Sequence, residues 1–176
     1  MPTQQTEERI KFLKENIEPL ENNAYGSTRC ATNADLPKLG EFLQMLVEAE
    51  RPFNPTLKDG EIFYYDLKTL IEDEKTVVLV IEFNAEIVGC GYAQIRSAKA
   101  YERHELFGYL GFMFVKPEFR GKGINKLLIN DLKQWVLSKG TTELRLDVYH
   151  DNDPAVKAYE KVGFKKLLTT MRCDIS

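Results

Sequence analysis

The chain has 176 residues, 43% hydrophobic and 29% charged, the composition of one globular domain with a real core and not of a disordered segment. A formal net charge of -3 is too small to suggest nucleic acid or an anionic membrane as partner, and no apolar run approaches the ~20 residues that span a bilayer. Three widely spaced cysteines (Cys30, Cys90, Cys173) and two histidines (His104, His150) without ligand spacing argue against a disulfide framework and against a metal site.

Met1 to Lys14 is polar with mixed charge and lacks the apolar core of a signal peptide, so a cytoplasmic protein is expected. Ile10, Leu13, Ile17 and Leu20 recur at helical spacing and predict a short helix over Glu7 to Leu20. Asn22-Asn23 and Gly26 mark a loop, and Ser27 to Thr32 reads as a first strand. Asn33 or Asp35 then caps a helix with Leu36, Leu39, Leu43, Leu46 and Val47 on one face, ended by Pro52 and Pro55. Helical spacing resumes from Gly60 to Asp73 through Ile62, Leu67, Leu70 and Ile71.

Thr76 to Phe83 is rich in β-branched residues, and Asn84-Ala85 turns it into Glu86 to Arg96, an antiparallel hairpin. Gly89 and Gly91 inside the second strand suggest a bend or close packing by a neighbour. Ala98 to Gly108 reads as a charged loop, Tyr109 to Val115 as a buried strand, and Gly123 to Lys139 as a helix capped by Gly140. Glu143 to Tyr149 alternates, with Leu144, Leu146 and Val148 opposite Arg145, Asp147 and Tyr149. Asp153-Pro154 starts a helix with Ala155, Ala158, Tyr159 and Val162 on one face, Gly163 ends it, and Phe164 to Asp174 is taken as final strand material. This order predicts one mixed α/β sheet covered by helices in a single domain.

Charge is uneven along the chain. Glu41 to Glu74 holds nine acids against three bases, whereas Lys116 to Lys139 holds six bases against two acids. The contrast suggests an anionic ligand on the second segment and a cationic one near the first. Within the basic segment, Val115-Lys116-Pro117-Glu118-Phe119-Arg120-Gly121-Lys122-Gly123-Ile124-Asn125 joins a strand to a helix through a glycine-bearing turn. Free N–H groups at the helix start, its dipole and the two glycines make such a turn a phosphate receptor, to which Arg120 and Lys122 add charge.

A dinucleotide turn needs a third glycine where Lys126 stands, and the Walker sequence is absent. Arg120-Gly121-Lys122-Gly123-Ile124-Asn125 resembles the acyl-coenzyme A turn of the GNAT acetyltransferases, Gln/Arg-x-x-Gly-x-Gly/Ala, with Asn125 departing from the usual small residue. Downstream, Asn152-Asp153-Pro154-Ala155 and Tyr159-Glu160-Lys161-Val162-Gly163-Phe164 resemble the second signature of that family, Asn-x-x-Ala-x-x-x-Tyr-x-x-x-Gly-Phe. The resemblance is close over Tyr109 to Asp174 and looser from Ser27 to Arg96. It implies a GNAT-like α/β domain over residues 25–176, with a mixed, mostly antiparallel sheet flanked by helices, and leaves residues 1–24 as an N-terminal helical extension.

The resemblance also implies roles. Arg120, Gly121, Lys122, Gly123, Ile124 and Asn125 would bind the pyrophosphate of acetyl-coenzyme A (acetyl-CoA), the acyl donor, chiefly through backbone N–H groups. Asn125 would either crowd the pyrophosphate or donate to it from its amide. Met113, Phe114 and Val115 would pair by main chain with the pantetheine arm, one N–H polarising the thioester carbonyl, while their side chains serve the core. Tyr159 would act as general acid toward the coenzyme A thiolate, and Asn152 would bind the ligand or cap the loop.

Many family members carry a carboxylate in the strand before the turn, but here those positions hold Gly111 and Phe112. Glu50 and Glu102 are candidate bases by location, alongside solvent, and no Cys–His pairing supports a covalent acyl-enzyme. The expected acceptor is a small-molecule or peptide amine near Leu36 to Asp73, where Phe53, Phe63, Tyr64 and Tyr65 line the pocket or fill the core. A homodimer is compatible with the family. The alternative reading is a non-catalytic acyl-CoA-binding or regulatory module, and a third is an interaction protein with a relict site.

Overall fold

Apolar side chains facing both ways along Thr76–Phe83 make this strand the middle layer of the molecule: Val77, Leu79 and Ile81 pack to one face, Val78 and Val80 to the other, and all five are buried. The computed structural model describes residues 26–176. Its five strands, β1 (Ser27–Cys30), β2 (Thr76–Phe83), β3 (Glu86–Ser97), β4 (Leu106–Val115) and β5 (Leu144–Leu146), lie side by side in chain order. The first four are antiparallel neighbours, and β5 runs parallel to β4. Helices α1 (Leu36–Glu50) and α2 (Leu67–Glu72) cover one face through Leu39, Phe42, Leu43 and Leu70. Helix α3 (Ile124–Ser138) and helix α4 (Asp153–Lys161) cover the other, with Leu128, Leu132, Trp135 and Val136 buried from α3 and Tyr159 packed from α4. This is the expected mixed, mostly antiparallel α/β sheet in a single domain. The helix expected over Glu7 to Leu20, and with it the extension over residues 1–24, lies outside the described residues.

Turn chemistry read from the sequence is recovered locally. Asn84 and Ala85 both adopt positive φ (49° and 62°), as a two-residue hairpin turn requires. Gly140 and Gly163 adopt positive φ just past α3 and α4.

Several element boundaries differ from expectation, each for a visible reason. The helix expected from Gly60 is confined to α2, because side chains of α1 take the upstream backbone groups: Gln44 bonds both the N–H and the C=O of Ile62 (3.2 and 3.0 Å), and Arg51 donates to the Lys58 and Gly60 carbonyls. Asp66, whose carboxylate accepts from the Thr69 N–H, starts α2 instead. Before α1, Thr32 and Asp35 form a reciprocal capping box around a single 3-10 turn, Asn33–Asp35. Leu106–Gly108 belongs to β4, not to the preceding loop, since Ser97 pairs with Leu106 and Arg96 with Phe107.

The strand expected over Glu143 to Tyr149 is only Leu144–Leu146, because β4 turns away beyond that point. Asn152, not Asp153, caps α4, accepting from the Ala155 N–H at 3.4 Å. Phe164 to Asp174 forms no regular element. The three-residue β5 offers little edge for a further ladder, and Leu167, Leu168, Met171 and Ile175 stand 77–95% exposed.

Candidate active site

The glycine turn ends in a helix whose first N–H groups are open. Gly121 and Gly123 take positive φ (74° and 85°), and a side chain at either would meet nothing within 4 Å, so the space in front of the turn is empty of protein. Gly123 caps α3 without any side-chain bond. Among the described residues, the N–H groups of Gly121, Lys122, Gly123, Ile124, Asn125 and Lys126 find no protein acceptor, whereas that of Leu127 bonds Gly123. Six outward donors at a helix N-terminus fit a pyrophosphate. Arg120 anchors the turn to β4 through Nε to the Val115 carbonyl at 3.0 Å, and Lys122 lies over the Phe119 ring at 5.2 Å. Ile124 is buried, and the half-exposed Asn125 side-chain amide makes no hydrogen bond among the described residues.

The strand feeding that turn is bulged. Cys90 pairs with Phe114 and Tyr92 with Gly111, so Phe112 and Met113 together oppose Gly91. Phe112 absorbs the extra residue at φ 52°, a conformation that costs a non-glycine residue roughly 1–2 kcal/mol and is held here by burial of its ring against Tyr65. The kink ends the parallel pairing: β4 and β5 are bonded only from Gly108↔Leu144 to Leu110↔Leu146. Beyond it, the β5-facing edge of Gly111 to Val115 has no strand partner. Phe114 and Val115 are buried, and Met113 packs partly buried against the α3 face, so their side chains serve the core while the main chain faces the gap. A Cβ at Gly91 would lie 2.6 Å from the Met113 sulfur, so Met113 would have to shift to admit a side chain there.

Tyr159 of α4 packs against the same core cluster as Met113 and Leu146, with its ring centroid 5.9 Å from that of Phe164. Its phenol is pushed up to about 12, by burial first and then by the charge of Glu50. It therefore stays protonated at neutral pH. Among the described residues its hydroxyl has no hydrogen-bond partner, and so its proton is uncommitted. Asn152 is engaged as the α4 cap and is half-buried.

Glu50 belongs to the helix on the opposite face of the sheet, yet its charge reaches the Tyr159 hydroxyl. Burial holds the Glu50 carboxyl above the ordinary glutamate range, with the neighbouring Tyr64 hydroxyl offsetting part of the rise. Glu102 differs: Arg145 bonds it at 3.0 Å and holds its carboxyl below the usual range, with His104 at 3.5 Å. That cluster lies on the loop after β3. His150 is exposed.

Of the four aromatics, Phe63 is 70% exposed and Tyr65 packs on Tyr92 and Phe112. Phe53 stacks on Tyr149 at 6.1 Å, and the Tyr64 hydroxyl is buried beside Glu50 and Tyr149. Tyr149 was not among the expected site residues. Its signal is its place at the carboxyl end of the Glu143 to Tyr149 alternation, on the polar side. Among the described residues no group of three or more His, Cys, Asp or Glu side chains converges as a metal site, and no helix is long and apolar enough to cross a membrane.

Residues 42–164 match the model of the acetyltransferase (GNAT) family. The fold is shared with solved structures of low sequence identity. A mutant of the BH1408 protein from Bacillus halodurans superposes with TM-score 0.77 at 19% identity, covering 85% of this chain and 99% of that one. An aminoglycoside 6'-N-acetyltransferase from Acinetobacter haemolyticus gives 0.65 at 17%, covering 85% and 98%. A predicted acetyltransferase with acetyl-CoA from Clostridium acetobutylicum gives 0.61 at 16%, covering 85% and 96%.

Proposed function

The chain belongs to the GNAT acetyltransferase family and is an acyltransferase, and on that premise we propose that it moves an acetyl group from acetyl-CoA directly to a primary amine, with Tyr159 as general acid. The observation that carries this reading is the run of six free N–H groups in the turn that follows the unpaired edge of β4, and the uncommitted Tyr159 phenol supports it. The pyrophosphate would sit on Gly121 to Asn125, with Arg120 and Lys122 adding positive charge. The pantetheine would pair with the open edge of Met113, Phe114 and Val115, and Asn152 would order the α4 side.

In this reading the amine nitrogen attacks the thioester carbonyl carbon, and the oxygen takes up the negative charge against an N–H of the kinked strand. Collapse breaks the C–S bond, and the thiolate receives its proton from Tyr159. A thiol ordinarily titrates near ~8.5, well below this phenol, so Tyr159 first acts as a hydrogen-bond donor that spreads charge on the departing sulfur. The acceptor is a small-molecule or peptide amine, a class that includes the substrates named for the aminoglycoside acetyltransferase of the same fold.

We place the protein in the cytoplasm and expect a homodimer, a reading supported by the exposed Leu167, Leu168 and Met171 of the C-terminal segment and checked by light scattering. The deciding experiment incubates the protein with acetyl-CoA and an amine panel and follows acetylated product by mass spectrometry. Acetyl-CoA binding without product across the panel would favour a non-catalytic binding module, for which the missing strand carboxylate speaks. No acetyl-CoA binding at all would make the site a relict.

A further inference from the structure

Two arginines lie over neighbouring rings on the face of β4 that α1 and α2 share, and only one of them is neutralised. The Arg145 guanidinium sits 4.4 Å from the Phe107 ring centre and is held by the carboxylates of Glu102 (3.0 Å) and Glu143 (3.3 Å). The Arg96 guanidinium sits 3.6 Å from the Tyr109 ring centre, yet its Nε donates to the neutral side-chain carbonyl of Gln94, at 2.8 Å. Among the described residues no carboxylate pairs with Arg96. Arg29, Arg51 and Arg145, half-buried like it, each hold one. A guanidinium keeps its charge at every physiological pH, so a half-buried one without a counter-ion is costly unless a ligand supplies the negative charge.

The surroundings hold this group in one orientation. Gln94 and Arg96 alternate with Ile95 and so share the face of Tyr92. Gln94 stands opposite Tyr109 in the ladder, and its amide donates to Asp73 at 3.2 Å, which fixes the carbonyl that Arg96 bonds. The Tyr109 hydroxyl donates to Asp147 at 2.9 Å, so the ring under the guanidinium is tied at its far end. Tyr92 packs beside Tyr109 with 6.4 Å between ring centroids. Burial pushes the Tyr92 phenol up, and the charge of Arg96 offsets part of the rise. With Nε spent and the plane stacked, the two Nη groups form a fork that matches a carboxylate. The position bears on the chemistry as well. Tyr109 belongs to the stretch where β4 and β5 are still paired, and Asp147 is the first residue beyond it. Arg96 therefore lies over β4 just before the two strands part, on the face opposite α3 and its glycine turn.

We propose that Arg96 binds a carboxylate of the acceptor, so that the amine acetylated by this protein belongs to an amino acid or another amino carboxylate. The proposal rests on the acetyl-transfer reading above and narrows its acceptor from amines in general to amines that carry a carboxylate. One guanidinium beside neutral tyrosines matches a single negative charge, whereas the second charge of a phosphate dianion would be opposed by the Asp147 carboxylate that holds Tyr109.

The experiment uses acceptors matched except for the anion: lysine against lysine amide and cadaverine, β-alanine against β-alaninamide, and O-phosphoethanolamine as the phosphate arm. Calorimetric Kd and the separate kcat and KM are measured for wild type, Arg96→Gln and Arg96→Lys. Wild type should favour each acid over its amide by about tenfold or more in kcat/KM, expressed mainly in KM, with a matching difference in Kd. Arg96→Gln should bring the members of each pair to within about threefold of one another. Arg96→Lys keeps the charge without the fork and should retain an intermediate preference. An active wild type that uses acids and amides equally, or a preference that survives in Arg96→Gln, overturns the Arg96 assignment and leaves acetyl transfer standing. Preference for O-phosphoethanolamine over every carboxylate overturns it in favour of a phosphate. Wild type that binds acids over amides through Arg96 but forms no acetylated product supports the carboxylate site and overturns acetyl transfer. Neither binding nor product with any acceptor overturns both.

Discussion

The ring of Tyr92 fills the space in front of Gly111: a Cβ placed at Gly111 would lie 2.4 Å from the Tyr92 hydroxyl. Tyr92 is 2% exposed, wedged among Tyr65, Tyr109 and the sheet. Of the two strand positions where the family resemblance leads one to expect a carboxylate, Gly111 is thus closed to a side chain by Tyr92, and Phe112 holds a buried ring. A proton acceptor for the proposed transfer would have to come from elsewhere, and Glu50 is a half-buried carboxyl whose charge acts on the Tyr159 phenol.

Gly111→Ala should therefore destabilise the protein by about 1–3 kcal/mol through overpacking, read as a fall in Tm. Most of that loss should vanish when Gly111→Ala is made in a Tyr92→Ala background, since the clash is with the tyrosine ring. Equal losses in both backgrounds would mean that the strand backbone, not Tyr92, rejects the side chain.

Tyr159→Phe removes only a hydroxyl without a protein partner, so folding and acetyl-CoA affinity should change little. Turnover should fall by roughly 10²-fold, the usual scale for losing a general acid. Unchanged kcat would remove Tyr159 from the chemistry.

At the turn, Gly123→Ala places a side chain at φ 85° in the space in front of the free N–H groups. It should weaken acetyl-CoA binding by about tenfold or more through strain and obstruction of the anion site. On the proposal that backbone donors hold the pyrophosphate, Asn125→Gly should bind within about threefold of wild type. A tenfold loss in calorimetry would make the Asn125 amide a required ligand.

Acid stability should depend on Asp35. Arg29 grips its carboxylate with two bonds of 2.8 Å, and Thr32 adds N–H and hydroxyl donors, so its carboxyl titrates below the ordinary range in the folded protein. A lowered folded value means that its stabilisation is present above the unfolded value near 3.8 and fades as pH falls through the folded one. Asp35→Asn should cost about 1–2 kcal/mol at pH 7 and shrink the difference from wild type at low pH. A constant difference at all pH values would assign the effect to packing.

Most elements were legible because their signals are local. The 3.6-residue spacing of Leu128, Leu132 and Trp135, the β-branched run of β2, and the glycines past α3 and α4 act within a few residues of themselves. The glycine turn and the Asn152 to Phe164 signature were legible for the same reason. The segment from Gly60 to Tyr65 was misread because Gln44 and Arg51, on another element, take its backbone groups. Periodicity carries no trace of that competition.

The sequence by itself determined the fold family and the glycine turn that opens α3. Both are written in contiguous residues whose backbone angles and apolar period are chosen locally. Only the tertiary structure decided how the faces of the sheet communicate. One extra residue at Phe112 shifts the β4 register and ends its pairing with β5, and the charge of Glu50 on α1 comes to act on the Tyr159 phenol of α4. A register shift is a property of two strands at once, and residues so far apart in the chain converge only after the sheet has formed.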